Sequence, residues 1–347
     1  MGTTALASAG LLIPAGAEAQ ETDVGGLEVV LGGYTEFGIS AASRDTLVDV
    51  PNRNYTFFMD NLLFIYADAA TESGIFYGSK IELEVGSGDG TTVDPEVDEI
   101  GLYFSGDFGR FELGQDDGAE DVMSIGGEDA QAGTGGIDGD TANLITFEIT
   151  DTDDNNKATY FTPRLAGFQL GVSFTPDDGF EQDAIADNVG DQENVVGLGG
   201  NWVREFELVD VTLASTGIVG HNEGGGDTND DLRSWEVGTL LDFVDVSVGI
   251  KYGQETDLDE GQFFNAGIAY YGFESGNVSV GYVLFDPQGD TPGDTNNLFA
   301  ISGDLDLLPG VTLKGDVTYA TEDPEAHLDE DDSDDTIAGV LTVQLDY

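Results

Sequence analysis

Strict alternation of apolar and polar residues, repeated in many short segments, is the feature that most limits how this chain can fold. In residues 167–174, Phe168, Leu170, Val172 and Phe174 alternate with Gln169, Gly171 and Ser173. The same alternation occupies residues 27–40, 75–85, 244–252 and 311–319. A period of two places apolar side chains on one face of a β-strand and polar side chains on the other. No helical period is convincing and no domain boundary follows residue 20, so one all-β domain is predicted.

The connections between these segments alternate in length. Short ones are predicted at 72–74, 106–107, 163–167, 242–245 and 307–310, and long ones rich in Asp, Gly and Asn at 42–55, 87–96, 116–143, 176–193, 220–231, 253–261, 286–296 and 321–335. About sixteen strands lie between them, an even number, as a membrane barrel requires. A soluble β-sandwich would alternate in the same way, but the rhythm of connections favours a transmembrane antiparallel β-barrel with its long loops outside the cell.

The charge balance excludes some partners. Asp and Glu number 69 against 10 Lys and Arg, a net charge of −59, which would repel nucleic acid. With 39% hydrophobic and 10% aromatic residues, the chain is too apolar for ordinary disorder, so the charge lies on a folded protein. Residence in strong salt, which screens repulsion between carboxylates, explains such acidity. Cys is absent, which excludes disulfides and thiolate sites.

The first residues indicate export. Residues 5–19 are apolar and end in Ala17-Glu18-Ala19, a small-x-small cleavage pattern typical of secretory signals. No Lys or Arg precedes Arg44, so the basic start of such a signal is missing, and we expect residues 1–19 to be a signal peptide truncated at its N-terminus. Residues 20–347 would then be the barrel. No window of about 20 apolar residues predicts a membrane-spanning helix.

Several stretches resemble the Gram-negative general porins, especially their alphaproteobacterial branch. They are Phe108–Gly118 (FGRFELGQDDG), Tyr160–Pro176 (YFTPRLAGFQLGVSFTP), Pro309–Leu313 (PGVTL) and the aromatic last residue, Tyr347. The resemblance implies a sixteen-stranded barrel in the bacterial outer membrane, a homotrimer, and a third long loop folded into the pore. It also implies a water-filled channel for passive diffusion of small hydrophilic solutes and ions, with no catalytic step and no required cofactor.

By position, that third loop is 116–143. Folded inward, it would bring eight carboxylates to or near the narrowest point: Asp116, Asp117, Glu120, Asp121, Glu128, Asp129, Asp138 and Asp140. The family usually sets a cluster of arginines opposite, whereas the inward-facing wall cations predicted here are only Lys80, Arg110, Lys157, Lys251 and Lys314. Of these, Lys80, Lys314 and Arg110 are the candidates for the facing wall. A cation-favouring pore is therefore expected. The alternative interpretation of these acids is a solvated loop adapted to salt.

Dense carboxylates also suggest Ca²⁺, which takes six to eight oxygen ligands. The candidates are Asp138 and Asp140 in the third loop and Asp331 and Asp332 in the last, although none has the spacing of an EF-hand. His221 and His327 have no partner at useful spacing for catalysis or a metal cage. The predicted partners are outer-membrane lipid, two further copies of the chain, and small solutes and ions. The alternative function is a secreted, acidic, β-rich structural or adhesive surface protein.

Overall fold

A computed structural model describes residues 20–24, 26–43, 54–84, 96–140, 145–177, 192–222, 232–256, 260–287, 295–322 and 334–347. The predicted signal segment 1–19 lies outside them. The strands are β1 (Gln20–Val24), β2 (Leu27–Ala42), β3 (Tyr55–Ala70), β4 (Phe76–Glu84), β5 (Glu96–Gly106), β6 (Gly109–Gln115), β7 (Asn156–Phe161), β8 (Phe168–Asp177), β9 (Gln192–Glu205), β10 (Asp210–Asn222), β11 (Arg233–Asp242), β12 (Val246–Glu255), β13 (Gly261–Phe273), β14 (Gly276–Pro287), β15 (Asn296–Leu308), β16 (Val311–Glu322) and β17 (Asp334–Asp346).

Strands β2 to β17 form a closed ring. Each pairs antiparallel with the next along the chain, and β17 pairs with β2, with Leu341 opposite Ile39. The described strands thus make a sixteen-stranded antiparallel barrel, as predicted. The last residue, Tyr347, exchanges backbone hydrogen bonds of 2.9 and 3.0 Å with Gly33 of β2. The short β1 pairs with residues 27–31 of β2, before this point.

The two faces of each strand point to different environments. On β8, Phe168 and Leu170 are about three-fifths exposed on the outside, whereas Ser173 and Thr175 are buried inside. On β12, Ile250 and Tyr252 point outward while Lys251, between them, is buried. An exposed apolar exterior matches lipid, whereas a sandwich would bury this face. The sandwich alternative is therefore wrong.

Tight connections join every second pair of strands at one end of the barrel. They fall at residues 71–75, 107–108, 162–167, 206–209, 243–245, 274–275 and 309–310. Five of these confirm the short turns predicted from sequence, whereas those at 206–209 and 274–275 were not predicted. Gly74, Gly167 and Gly310 adopt positive φ, which glycine tolerates without a Cβ clash. In the described residues the only α-helix is α1 (Ala119–Val122), and no helix there is long and apolar enough to cross a bilayer.

Candidate pore constriction

The third long connection, between β6 and β7, lies inside the barrel. Its helix α1 contacts β7 to β10, a short 3-10 helix at Glu128–Ala130 contacts β12 to β14, and another at Gly136–Asp138 contacts β14 to β16. The loop therefore crosses the interior from β6 to β16, which confirms the predicted inward fold.

This loop ends at Asn155, twelve residues beyond the predicted limit of 143. Ile145, Phe147 and Ile149 alternate as a strand would, but they pack into an apolar core inside the barrel. That core includes Val195, Ile218, Leu232, Phe263, Val283, Phe285, Leu298, Ala300 and Ala320 from β9, β10, the start of β11 and β13 to β16, together with Ile137. One side of the interior is thus filled with protein, and the polar lumen is confined to the other.

Glycines on the inner wall let the loop backbone approach closely. A Cβ atom at Gly238, Gly249 or Gly267 would overlap the carbonyl oxygen of Ile125, Gly126 or Gly127, respectively. The three glycines lie on consecutive strands β11, β12 and β13. These three glycines, here called the track of glycines, therefore allow three consecutive loop residues to pack directly against the backbone of the wall.

Lys251 is the main charged anchor of the loop. Its side chain is fully buried and forms an ion pair with Glu128, with Glu148 Oε2 at 3.7 Å and Glu236 Oε1 at 3.5 Å. Glu128 and Glu148 belong to the loop, whereas Glu236 belongs to β11. One buried ammonium thus joins the outgoing and returning halves of the loop to the wall.

Polar side chains of other strands complete the attachment. Asp316 on β16 accepts hydrogen bonds from the backbone N–H groups of Thr134 and Gly136, at 3.2 and 3.3 Å. Ser279 accepts from the N–H of Ala132 at 2.8 Å, and Asn265 accepts from that of Gly127 at 2.8 Å. The loop is therefore held along its whole crossing.

The eight predicted constriction acids occupy different environments. Glu120 is buried between loop and wall, where it accepts hydrogen bonds from Ser173 at 2.6 Å and Thr152 at 3.2 Å. Asp116 is also buried. Asp117, Asp121 and Glu128 are half-buried, and Asp129, Asp138 and Asp140 are exposed. The role of all eight at the narrowest point stays a prediction, and the last three have the most open surface.

Burial raises the pKa values of several loop carboxylates. Desolvation raises the pKa of Asp121 to about 8, with neighbouring acids adding to the effect. It raises the pKa of Glu128 to about 7, because the charge of Lys251 only partly offsets it. Desolvation also raises the pKa of Glu148 to about 9, because the charge of Lys251 only partly offsets it. Asp154 near the loop end has a pKa raised to about 7 by desolvation and by Asp117. The negative charge of the loop therefore changes near neutral pH.

The three predicted wall cations are all paired with carboxylates. Lys80 bonds Glu99 at 2.5 Å and Asp116 at 2.6 Å, so it lies at the root of the loop. Lys314 lies 3.5 Å from Glu36 and donates a hydrogen bond to Gln344. Arg110 pairs with Glu112, next to the tight turn at 107–108. Each of these positive charges is matched locally by a negative one.

The three carboxylates within ligand distance of one another are not those predicted to bind calcium. Oxygens of Glu99, Asp117 and Asp154 lie within 4.8 Å of one another, and this described group does not include Asp138 or Asp140. Asp331 and Asp332 lie outside the described residues. Calcium at the four predicted residues stays a prediction.

Sequence reasoning missed two acids on the wall across from the loop. Glu36 on β2 and Asp60 on β3 are register partners, and the charge of Asp60 contributes to a raised pKa of Asp140, after desolvation and Asp316. Both residues lie on the polar face of alternating strands, and this pattern could have identified them as lining the inside of the barrel. Their nearness to Asp140 depends on the path of the loop, which the sequence pattern does not contain.

Comparison with known proteins decides the family. Residues 2–325 match the family model described as Gram-negative porin. The chain belongs to this family. As a Gram-negative porin with a β-barrel fold, it is a protein of the bacterial outer membrane.

The individual proteins that resemble this chain have low sequence identity to it. An uncharacterized protein of Rickettsia conorii is 30% identical over 207 residues, a match that covers 50% of this chain and 46% of that protein, so the chain spans less than half of its length. A multiply substituted mutant of the Rh. blastica porin superposes with a TM-score of 0.65 at 15% identity, covering 92% of this chain and 100% of that one. The anion-selective porin from Comamonas acidovorans gives 0.70 at 15% identity with the same coverage. At such identities the structures share the fold.

Proposed function

We propose that this protein forms a water-filled channel through which small hydrophilic solutes and ions diffuse passively, with a preference for cations. The observation that carries the proposal is the charge of the lumen. Asp129, Asp138 and Asp140 are exposed on the inward-folded loop, and in the described part of the chain none has a Lys or Arg within ion-pair distance. Acidic groups at a constriction concentrate cations and exclude anions.

The charge of the opposite wall supports the same preference. Lys314 on that wall is matched by Glu36, and Asp60 beside Glu36 adds negative charge. Lys80 at the root of the loop and Arg110 near the turn at 107–108 are also neutralised by carboxylates. The Comamonas acidovorans porin is named as anion-selective. A shared barrel does not fix ion preference, because selectivity depends on which side chains line the pore.

Channel formation is tested by adding the purified protein to planar bilayers and to liposomes. We expect stepwise single-channel currents in bilayers, and swelling rates in liposomes that fall with the size of a graded series of uncharged sugars. Liposomes that carry the protein but stay impermeable to the smallest sugar would contradict the proposal, as would bilayers without current steps.

We also propose that three copies assemble, as the family resemblance implies. The matching experiment is electrophoresis of the detergent-extracted protein with and without heating. A band near three times the chain mass that converts to one chain on heating would support the trimer. A single-chain band in mild detergent, with the same mass by light scattering, would contradict it.

A further inference from the structure

Three tyrosines on the inner wall formed by β2 to β5 donate their hydroxyl groups to carboxylates. Tyr34 donates to Asp60 Oδ2 at 2.8 Å, Tyr66 donates to Glu82, and Tyr103 donates to Asp68. A phenol that donates to a carboxylate has a more electron-rich ring, and ring faces attract cations. Each pair therefore combines a cation-attracting ring with a negative charge on a wall that is otherwise expected to be merely polar.

One of the three pairs already holds a cation. The guanidinium carbon of Arg110 lies 4.3 Å from the centroid of the Tyr103 ring, and Glu112 holds the same guanidinium. Over the rings of Tyr34 and Tyr66 no cation lies, as far as the described residues extend. The protein itself thus shows which chemical group this arrangement accepts.

The pair formed by Tyr34 and Asp60 has an unfilled acceptor. Asp60 Oδ1 is buried and has no hydrogen-bond partner among the described residues, whereas Oδ2 is bonded to Tyr34. Phe58, two residues earlier on the same face of β3, is half-buried and its ring lies across Gly38. The carboxylate therefore keeps one unpaired acceptor oxygen beside the Tyr34 ring, on the face of β3 that also carries Phe58.

The local charge also favours a cation at this pair. Glu36 is the register partner of Asp60, and Asp140 of the loop lies close enough for the charge of Asp60 to affect it. Lys314, 3.5 Å from Glu36, is the one basic group near these three acids within the described ranges. One lysine offsets one of the three carboxylates, so two negative charges stay uncompensated. A bound cation would reduce the repulsion between these carboxylates.

We propose that Tyr34, Phe58 and Asp60 form a subsite for organic cations, small solutes that carry an ammonium or guanidinium group. The carboxylates attract any cation, but the rings add attraction for a weakly hydrated organic one. This inference rests on the proposed cation-favouring channel and names the class of solute that it would favour.

The test compares guanidinium and tetramethylammonium with potassium. Reversal potentials are measured in planar bilayers with chloride salts of different cations on the two sides. For the unsubstituted protein, we compare the permeability of each organic cation relative to potassium with the ratio of their mobilities in water. We expect the permeability ratio to be larger by roughly two- to fivefold, which corresponds to the energy of an exposed cation–ring contact. Tyr34→Leu should remove this excess, and Tyr34→Phe, which keeps the ring but loses the bond to Asp60, should leave part of it.

Tyr103→Leu is the matched control, because Arg110 already covers that ring, and it should keep the excess. Heat-modifiable migration verifies that each variant is folded. A ratio equal to bulk mobility in the unsubstituted protein would overturn the subsite, as would an excess that survives Tyr34→Leu. A potassium chloride gradient, measured on the same membranes, distinguishes this failure from failure of the proposed function. Potassium preference without organic excess overturns only the subsite, whereas chloride preference overturns both.

Discussion

Lys251 links the loop to the wall through a single ammonium group. Its side chain is fully buried, and Glu128, Glu148 and Glu236 surround it. Removing one member of a buried charge cluster leaves the others uncompensated, which typically costs about 3–5 kcal/mol. A variant that keeps the length of this side chain but not its charge separates the ion pairs from packing.

We expect Lys251→Met to lower the thermal unfolding midpoint of the detergent-solubilised barrel and to make single-channel current noisier, because the loop loses its joint to β11 and β12. Lys314→Met is the control, since Lys314 is about a quarter exposed and its described partners, Glu36 and Gln344, belong to the barrel wall. Equal midpoints and equal noise in the two variants would contradict the anchoring role of Lys251.

The raised pKa values of the loop acids predict a pH dependence of selectivity. A carboxyl group with a raised pKa loses its charge at a higher pH than usual, and Asp121, Glu128 and Glu148 have pKa values of about 8, 7 and 9. We therefore expect cation preference to fall progressively as pH is lowered from about 9 to 6, well above the usual pKa of about 4 for Asp and Glu. Glu148→Gln should remove the most alkaline part of this change. Selectivity that stays constant down to pH 5 would show that these groups do not influence permeating ions.

At the scale of elements, the track of glycines makes the inward position of the loop possible. A methyl group at Gly249 would overlap the carbonyl oxygen of Gly126, and overpacking of this kind costs about 1–3 kcal/mol. At Gly339 on β17 the nearest heavy atom to an added Cβ lies 3.5 Å away, so a methyl group fits.

We expect Gly249→Ala to displace the loop, which should lower the unfolding midpoint and change the single-channel conductance. Gly339→Ala should leave both quantities close to those of the unsubstituted protein. If the two alanine variants behaved alike, the close seating of the loop on β12 would be disproved.

The strands and five of the seven tight turns could be predicted because their signals are local. Alternation at 167–174 or 311–319 reports directly which residues face lipid, and a turn such as 163–167 shows its own Pro and Gly. The end of the third loop could not be predicted, since Ile145, Phe147 and Ile149 alternate as a strand does. Only the apolar inner wall that includes Phe263 and Leu298 explains why they pack inside.

In the candidate pore constriction, too, some features could be predicted from the sequence and others could not. The acidity of the loop was evident from sequence, but burial of Glu120 against Ser173 was not, because it depends on which wall the helix contacts. Lys80 was expected on the facing wall, yet it bonds Asp116 at the start of the loop. Such pairings join residues far apart in sequence, and the strand pattern does not encode them.

At the scale of the whole molecule, a net charge of −59 predicts that salt stabilises the protein. Like charges in a compact barrel repel one another, and the Debye length falls from about 10 Å at 0.1 M salt to about 3 Å at 1 M. We expect the unfolding midpoint in detergent to rise over this range, equally in sodium and potassium chloride. A midpoint that is unchanged, or that falls, would contradict the proposed adaptation to salt.

The acidic loop inside the barrel is proposed to make the channel favour cations. The most direct measurement is the zero-current potential of the reconstituted protein in a potassium chloride gradient at about pH 9, where raised pKa values leave most loop carboxylates charged. We expect the dilute side to become positive, because potassium crosses more readily than chloride. A dilute side that becomes negative would mean that anions cross more readily, and would contradict it.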